Sequence, residues 1–179
     1  MKKILYLLTA IALCFTFTNC SDDDWTTDPD LEHIYYVGFQ QWFSKTANDV
    51  VYNVNRGATL EIPVQFYSER TRSYDVATYY YVTPGTLTLG TDFQVVDANG
   101  SVLQPDANGA YRFDWPKAVK GVQKIHVKAL NGKAGAITVY TFDPNAGAIA
   151  HPDNITNSKT NDYEVRSFTQ NYKVAVNIK

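Results

Sequence analysis

Leu60-Glu61-Ile62-Pro63-Val64-Gln65-Phe66 is the stretch that decides the fold. Leu60, Ile62, Val64 and Phe66 fall on one face of an extended chain, and Glu61, Pro63 and Gln65 on the other. A period of two predicts a strand with one face buried and one in water, the pattern of antiparallel sheet. Proline has no N–H to give a ladder, so Pro63 predicts an edge strand or a bulge at that point. The same alternation recurs further on. Ile125, Val127 and Ala129 alternate with Lys124, His126 and Lys128, and Tyr172, Val174, Val176 and Ile178 with Lys173, Ala175, Asn177 and Lys179.

Outward from these segments, strands are predicted at Ile34–Phe39, Val50–Val54, Tyr74–Val82, Thr86–Leu89, Phe93–Val96, Ala110–Trp115 and Ile137–Phe142. Turn chemistry separates them: Asn55-Arg56-Gly57, Pro84-Gly85, Asp97-Ala98-Asn99-Gly100, Asn108-Gly109, Asn131-Gly132 and Asp143-Pro144-Asn145. No window supports a long amphipathic helix, and Lys117 to Lys120 suits one short turn. Seven to nine short strands at this spacing predict an all-β, antiparallel sandwich spanning residues 33–179. Residues 144–162 form the longest irregular stretch, the kind that is functional or mobile. Composition agrees: of 179 residues 13 are tyrosine, and aromatics make up 14%. The net charge of −2 comes with scattered basic residues. This excludes the basic stripe of a nucleic-acid binder.

The N-terminus reads differently. Lys2 and Lys3 precede Ile4 to Phe17, a run without a charge. That length suits the apolar core of an export signal and is short for a membrane span. The run ends in Phe17-Thr18-Asn19-Cys20, followed by Ser21-Asp22-Asp23-Asp24. Cys20 in this setting resembles the lipidation site of a Bacteroidota-type surface-exposed lipoprotein, although Phe17 and Asn19 depart from the stricter Leu-x-[Ala/Gly]-Cys pattern. The resemblance implies a cleaved signal at residues 1–19, acyl chains on Cys20, and Ser21, Asp22, Asp23 and Asp24 as an export signal. Residues 20–32 then form an acidic tether. It also implies a protein held at the outer membrane and facing the cell exterior. Cleavage removes Cys14 and two of the 16 basic residues, leaving 14 against 18 acids.

Within the body, Gly57-Ala58-Thr59-Leu60-Glu61-Ile62-Pro63-Val64 opens the patterned strand. Gly85-Thr86-Leu87-Thr88-Leu89-Gly90-Thr91-Asp92-Phe93 follows, and Tyr111-Arg112-Phe113 leads into Gln123-Lys124-Ile125-His126-Val127. This order resembles the Calx-beta-like, immunoglobulin-like sandwich, whose Gly-Thr-Asp-[Tyr/Phe] turn is matched by Gly90–Phe93. Some members of that family bind calcium through acidic clusters. Here Asp92 matches the turn acid, while Pro84-Gly85 and Ile178-Lys179 stand where further acids are usual. One carboxylate does not make a calcium site of six to eight oxygens, so Asp92 is read as capping its turn, with no metal or other cofactor.

Catalytic chemistry has little to stand on. His33, His126 and His151 fall in unrelated places, and no zinc, thiol or serine-hydrolase motif is present. Glu61, Glu69 and Glu164 are the carboxylates that a glycosidase reading would use. Aromatics are the better lead. A strand through Tyr79-Tyr80-Tyr81 turns at least one ring to solvent, and Trp42, Tyr67, Tyr74 and Trp115 are further candidates. Trp42, Tyr79, Tyr80 and Tyr81 are accordingly the candidate ligand-binding residues, with packing in the core as the alternative for each ring. These features point to a non-catalytic binding module, for a glycan or as an accessory to a polysaccharide-uptake complex at the outer membrane. An adhesive module for a protein partner or host matrix, with or without calcium, is the alternative.

Overall fold

The computed structural model describes residues 32–40, 47–146 and 155–179. Cys20, Ser21, Asp22, Asp23, Asp24, Trp42 and His151 lie outside the described residues. The strands are β1 (Ile34–Phe39), β2 (Val51–Val54), β3 (Thr59–Tyr67), β4 (Val76–Thr83), β5 (Phe93–Val96), β6 (Ala110–Trp115), β7 (Gly121–Ala129), β8 (Gly135–Tyr140), β9 (Thr156–Lys159), β10 (Glu164–Ser167) and β11 (Lys173–Ile178). They form two sheets, ordered β5-β7-β3-β1-β10-β9 and β2-β11-β8-β4-β6. The chain is an all-β sandwich of eleven described strands.

The apolar members of each alternating strand meet between the sheets. Ile62, Val64 and Phe66 of β3, Ile125 and Val127 of β7, Ile137 and Val139 of β8, and Val174 and Val176 of β11 are all buried. Phe66 stacks on Trp115 with centroids 4.9 Å apart and planes at 17°. The indole N–H of Trp115 donates to the buried Thr78 hydroxyl at 2.9 Å, so its polar end is satisfied inside the core. At one end of the sandwich Arg72 Nε donates to the Tyr35 hydroxyl at 3.1 Å. That hydroxyl is 2.7 Å from the Tyr74 hydroxyl, which is 2.6 Å from His33 Nδ1.

Pro63 is accommodated differently from the expectation. Strand β3 is neither an edge nor bulged at Pro63: its register with β7 runs unbroken from Thr59↔Lys128 to Phe66↔Gly121. Ala129 N–H donates to the Ala58 carbonyl, which makes 58 and every second residue after it face β7. Pro63 therefore faces the β1 flank, and β1 pairs only from Phe39↔Val64 onward. The missing N–H withdraws no ladder bond. At the other end Gly57, at φ 82°, donates to the Ala129 carbonyl beside Ala58 and forms a glycine bulge.

Three further expectations change. Thr86–Leu89 is not a strand, because Leu87, Thr91 and Asp92 N–H groups bond back locally to Pro84 and Thr88 carbonyls. Only Leu89 makes a bridge, to Phe93. Residues 144–162 are not wholly irregular, since β9 lies inside them. The pairing is mainly antiparallel, but β1 pairs β10 and β11 pairs β2 in parallel.

Strands β9 and β10 owe their place to polar side chains. Strand β8 pairs β4 only from Tyr81 to Thr83, so Ala77 and Tyr79 lack a neighbour on that flank. Asn157 takes the place of a strand: its Oδ1 accepts from Tyr79 N–H at 2.9 Å and its Nδ2 donates to the Tyr79 carbonyl at 2.6 Å. Ser158 Oγ donates to the Ala77 carbonyl, and Ala77 N–H donates to the Tyr163 hydroxyl. Both Asn157 Nδ2 and Ser167 Oγ donate to the Thr141 carbonyl. Backbone groups that would otherwise be buried unpaired are thereby satisfied across the seam between the sheets.

Candidate functional site

The alternation of β4 sends Val76, Thr78 and Tyr80 inward and Tyr79 and Tyr81 outward. Tyr80 is 2% exposed and stacks on Tyr111 at 5.1 Å, with Phe113 tilted against it at 4.9 Å. It belongs to the core and is withdrawn from the candidate ligand-binding residues, because an inward position on a central strand leaves it no route to solvent. Trp115, at 3% exposed, is core as well. Tyr79 and Tyr81 stay on the outer face. Strand β8 adds a third ring: Tyr140 is outward and directly opposite Tyr81. Tyr79 lies opposite Arg112, which is held by Asp114 at 2.6 Å.

Three tyrosines thus sit on one outer face, with Tyr79 and Tyr81 one strand repeat apart, roughly 7 Å. Beyond them, away from the Arg112–Asp114 pair of β6, the face carries little charge. Register aligns Thr83, Thr138, Ala175 and Val51 across four strands, and Ala136, Asn177 and Asn53 in the next row. Among the described outward residues of β2, β11, β8 and β4, Lys173 is the one charged side chain. The Tyr81 phenol is pushed up, first by burial and then by the nearby Asp143 and Asp106 carboxylates, so it stays neutral at physiological pH. Small polar and aromatic groups without charge suit contact with a surface of hydroxyl groups, or with another flat apolar surface.

On the outer face of the other sheet Glu61 and Glu164 are each paired with cationic neighbours. Glu61 accepts from Lys124 and lies 3.6 Å from His126, whose side chain is only 13% exposed rather than open to solvent. Glu164 binds Lys159 at 3.0 Å and Arg166 at 2.8 Å. A second aromatic patch lies here: Tyr36 stacks on Phe168 at 5.1 Å and 21°, and Tyr67 meets Phe168 edge-on at 5.1 Å.

Neither Glu61 nor Glu164 has the raised pKa that the acid of a glycoside hydrolase needs. Hydrogen bonding and charge from Lys124 hold Glu61 below the usual range. Burial pushes Glu164 up, but the bonds from Arg166 and Lys159 outweigh it and the net direction is down. Among the described residues no group of three or more His, Cys, Asp or Glu is placed to hold a metal ion. Asp92 caps its turn: Oδ2 accepts from Thr88 N–H at 2.8 Å and Oδ1 from Lys133 N–H at 2.7 Å. Among the described residues no helix is long and apolar enough to cross a membrane.

Sequence reasoning placed Tyr79 and Tyr81 correctly on a strand but missed Tyr140 and Arg112. The signal for Tyr140 was available, since it alternates with Ile137 and Val139. Its pairing with Tyr81 was not, because two antiparallel strands far apart in sequence do not announce their register.

No family model matches the sequence, and no curated protein compared with it matches. Among solved structures, CBD12 from CALX1.2, a Calx-beta domain structure, is similar over 80% of this chain at 15% identity and TM-score 0.47; this chain spans 44% of that one. A complex of a CaDoc0917 variant with CaCohA2 is similar over 82% of this chain and 99% of that one, at 14% identity and TM-score 0.42. CaCohA2 from Clostridium acetobutylicum is similar over 81% and 92%, at 12% identity and TM-score 0.40.

Proposed function

We propose that this chain is a non-catalytic binding module, lipid-anchored through Cys20 at the outer membrane and facing outward, whose five-stranded sheet receives an extended, uncharged glycan. It acts alone or as an accessory to a polysaccharide-uptake complex. The observation that carries the reading is the row of Tyr79, Tyr81 and Tyr140 on one outer face, next to two uncharged register rows, Thr83-Thr138-Ala175-Val51 and Ala136-Asn177-Asn53. Rings present stacking surfaces, and the hydroxyl and amide groups of Thr138, Thr83, Asn177 and Asn53 supply hydrogen bonds without the cost of stripping water from a charge. The anchor rests on the apolar run ending at Cys20 and the acids after it.

Calorimetric titration of the soluble chain from Ser21 with neutral and acidic polysaccharides tests this. Neutral chains should bind. Tyr81→Ala and Tyr140→Ala should each weaken binding several-fold, because an aromatic contact contributes about 0.5–1.5 kcal/mol beyond its area, and leave the melting temperature nearly unchanged. Binding that survives loss of all three outward rings would sink the reading. Cys20→Ser should abolish labelling by a radioactive fatty acid.

A second reading, contact with a protein partner, is favoured by the patch on the opposite sheet, where Tyr36 is 38% exposed. Retention of an outer-membrane protein that is lost with Tyr36→Ala, and is indifferent to sugar, would support it.

A further inference from the structure

We propose that Asn131 is a spontaneous modification site, at which the Gly132 nitrogen displaces ammonia from the Asn131 side-chain amide and leaves isoaspartate in the main chain. Three Asn-Gly pairs occur in the sequence: Asn99-Gly100, Asn108-Gly109 and Asn131-Gly132. A glycine after asparagine favours this attack, because no Cβ obstructs the approach of its nitrogen to the amide carbon. All three asparagines are exposed, so exposure does not separate them. Hydrogen bonding does.

Two of the pairs close the same tetrapeptide, Asp-Ala-Asn-Gly, folded the same way. Asp97 Oδ1 accepts from Asn99 N–H at 2.9 Å and from Ser101 N–H at 2.8 Å, and the Asp97 carbonyl accepts from Gly100 N–H at 3.0 Å. Asp106 Oδ1 accepts from Asn108 N–H at 2.8 Å and from Ala110 N–H at 2.9 Å, and the Asp106 carbonyl accepts from Gly109 N–H at 3.0 Å. The attacking nitrogen is engaged in both turns, and each turn must open before it can move. The third pair is held at its flanks instead. Leu130 N–H donates to the Asp92 carbonyl at 2.9 Å, and Lys133 N–H to Asp92 Oδ1 at 2.7 Å. Between them, among the hydrogen bonds of the described residues, neither Asn131 N–H nor Gly132 N–H donates one.

The reaction needs water and no enzyme. The Gly132 nitrogen gives up its proton to solvent base and bonds to Asn131 Cγ; the Cγ–Nδ2 bond breaks, and ammonia leaves with a proton from water. Hydrolysis of the cyclic imide at one carbonyl or the other then yields aspartate or isoaspartate. The isoaspartate link runs the main chain through Cβ and Cγ, which lengthens it by a methylene. The span from Leu130 to Lys133 is already tightly held. Both its ends are bound to Asp92, Arg56 Nη1 donates to the Gly132 carbonyl at 3.1 Å, and a Cβ on Gly132 would lie 2.2 Å from Asp92 Oδ1. The extra methylene therefore loosens the Asp92 cap, and the effect accumulates as the protein ages.

Peptide mapping by mass spectrometry that resolves aspartate from isoaspartate, on the soluble chain from Ser21 aged in warm, mildly alkaline buffer, tests this. Conversion at Asn131 should outrun that at Asn99 and Asn108 by about tenfold, the order expected when a turn hydrogen bond must break first. In concentrated urea the three rates should converge, since the following glycine is common to all three sites. Asp97→Ala should speed conversion at Asn99, because it removes the carboxylate that holds the Asn99 and Ser101 N–H groups, and leave the rate at Asn131 unchanged. Aged wild-type chain should melt lower than fresh chain. Asn131→Gln, whose longer side chain closes the imide ring far more slowly, should age without that loss. Equal rates at the three sites in the folded chain, or a difference that persists in urea, overturns the inference. Unchanged melting of chain converted at Asn131 overturns the loosening of the Asp92 cap.

Discussion

Asp92 is the residue whose chemistry is most fully determined by its surroundings. Backbone N–H groups of Lys133 and Thr88 hold its carboxyl below the usual carboxylate range, against the opposing effect of burial. A carboxylate whose pKa is lowered on folding stabilises the fold above its unfolded pKa, and that contribution is lost as pH falls through the folded value. Thermal melts should therefore show the wild type losing stability once pH drops below about 4. Asp92→Asn should melt lower at neutral pH and depend less on acid. The fit is close on the other side too, because a Cβ on Gly132 would lie 2.2 Å from Asp92 Oδ1. Asn157 is the second such residue. Asn157→Ala leaves the backbone groups of Tyr79 without partners, and chemical denaturation should show a loss of about 1–3 kcal/mol. An equal stability in that variant would mean that the seam is held by Ser158 and Tyr163 alone.

At the scale of the element, β3 shows how a strand tolerates the residue least suited to it. Pro63 costs nothing in pairing because β1 stops at the level of Val64. Pro63→Val should then change stability by no more than about 0.5 kcal/mol. Gln65→Pro tests the same geometry in reverse: Gln65 lies opposite Gly38, and its N–H faces β1. Its removal should cost at least about 1–3 kcal/mol in denaturant melts. The strands that sequence patterning found, β1, β5 and β6, have the bounds expected because apolar and polar residues alternate or cluster between strong turn signals. Strands β9 and β10 were not legible. Thr156-Asn157-Ser158-Lys159 has no apolar period, and its buried members are polar because they serve backbone groups on β4 and β8. Such a strand is recognisable only once the groups it serves are placed.

For the whole molecule the two parallel pairings matter most. Strand β1 joins β10, and β2 joins β11, so each sheet is completed by segments from opposite ends of the chain. Strand β11 also lies between β2 and β8 in its sheet. Deleting residues 173–179 should abolish the near-ultraviolet circular dichroism of the core aromatics, since β2 is left without a neighbour and β8 keeps only its three-residue pairing with β4. Contacts this distant in sequence make folding slow for the size of the chain, with refolding on the millisecond-to-second scale in stopped-flow fluorescence. Refolding in microseconds would contradict the topology.

Alternation along the chain is a local property, and it determined by itself that this protein is a sandwich of short strands with a valine- and isoleucine-rich interior. The apolar run ending at Cys20 is equally local, so the expectation of an anchored, exported protein needs nothing from the fold. Tertiary structure decided what local pattern could not carry. It withdrew Tyr80 into the core, set Tyr140 beside Tyr81, and made polar β9 a strand. Each of these depends on which distant backbone or ring lies opposite a given residue, and that is a property of register between strands rather than of any one strand's sequence.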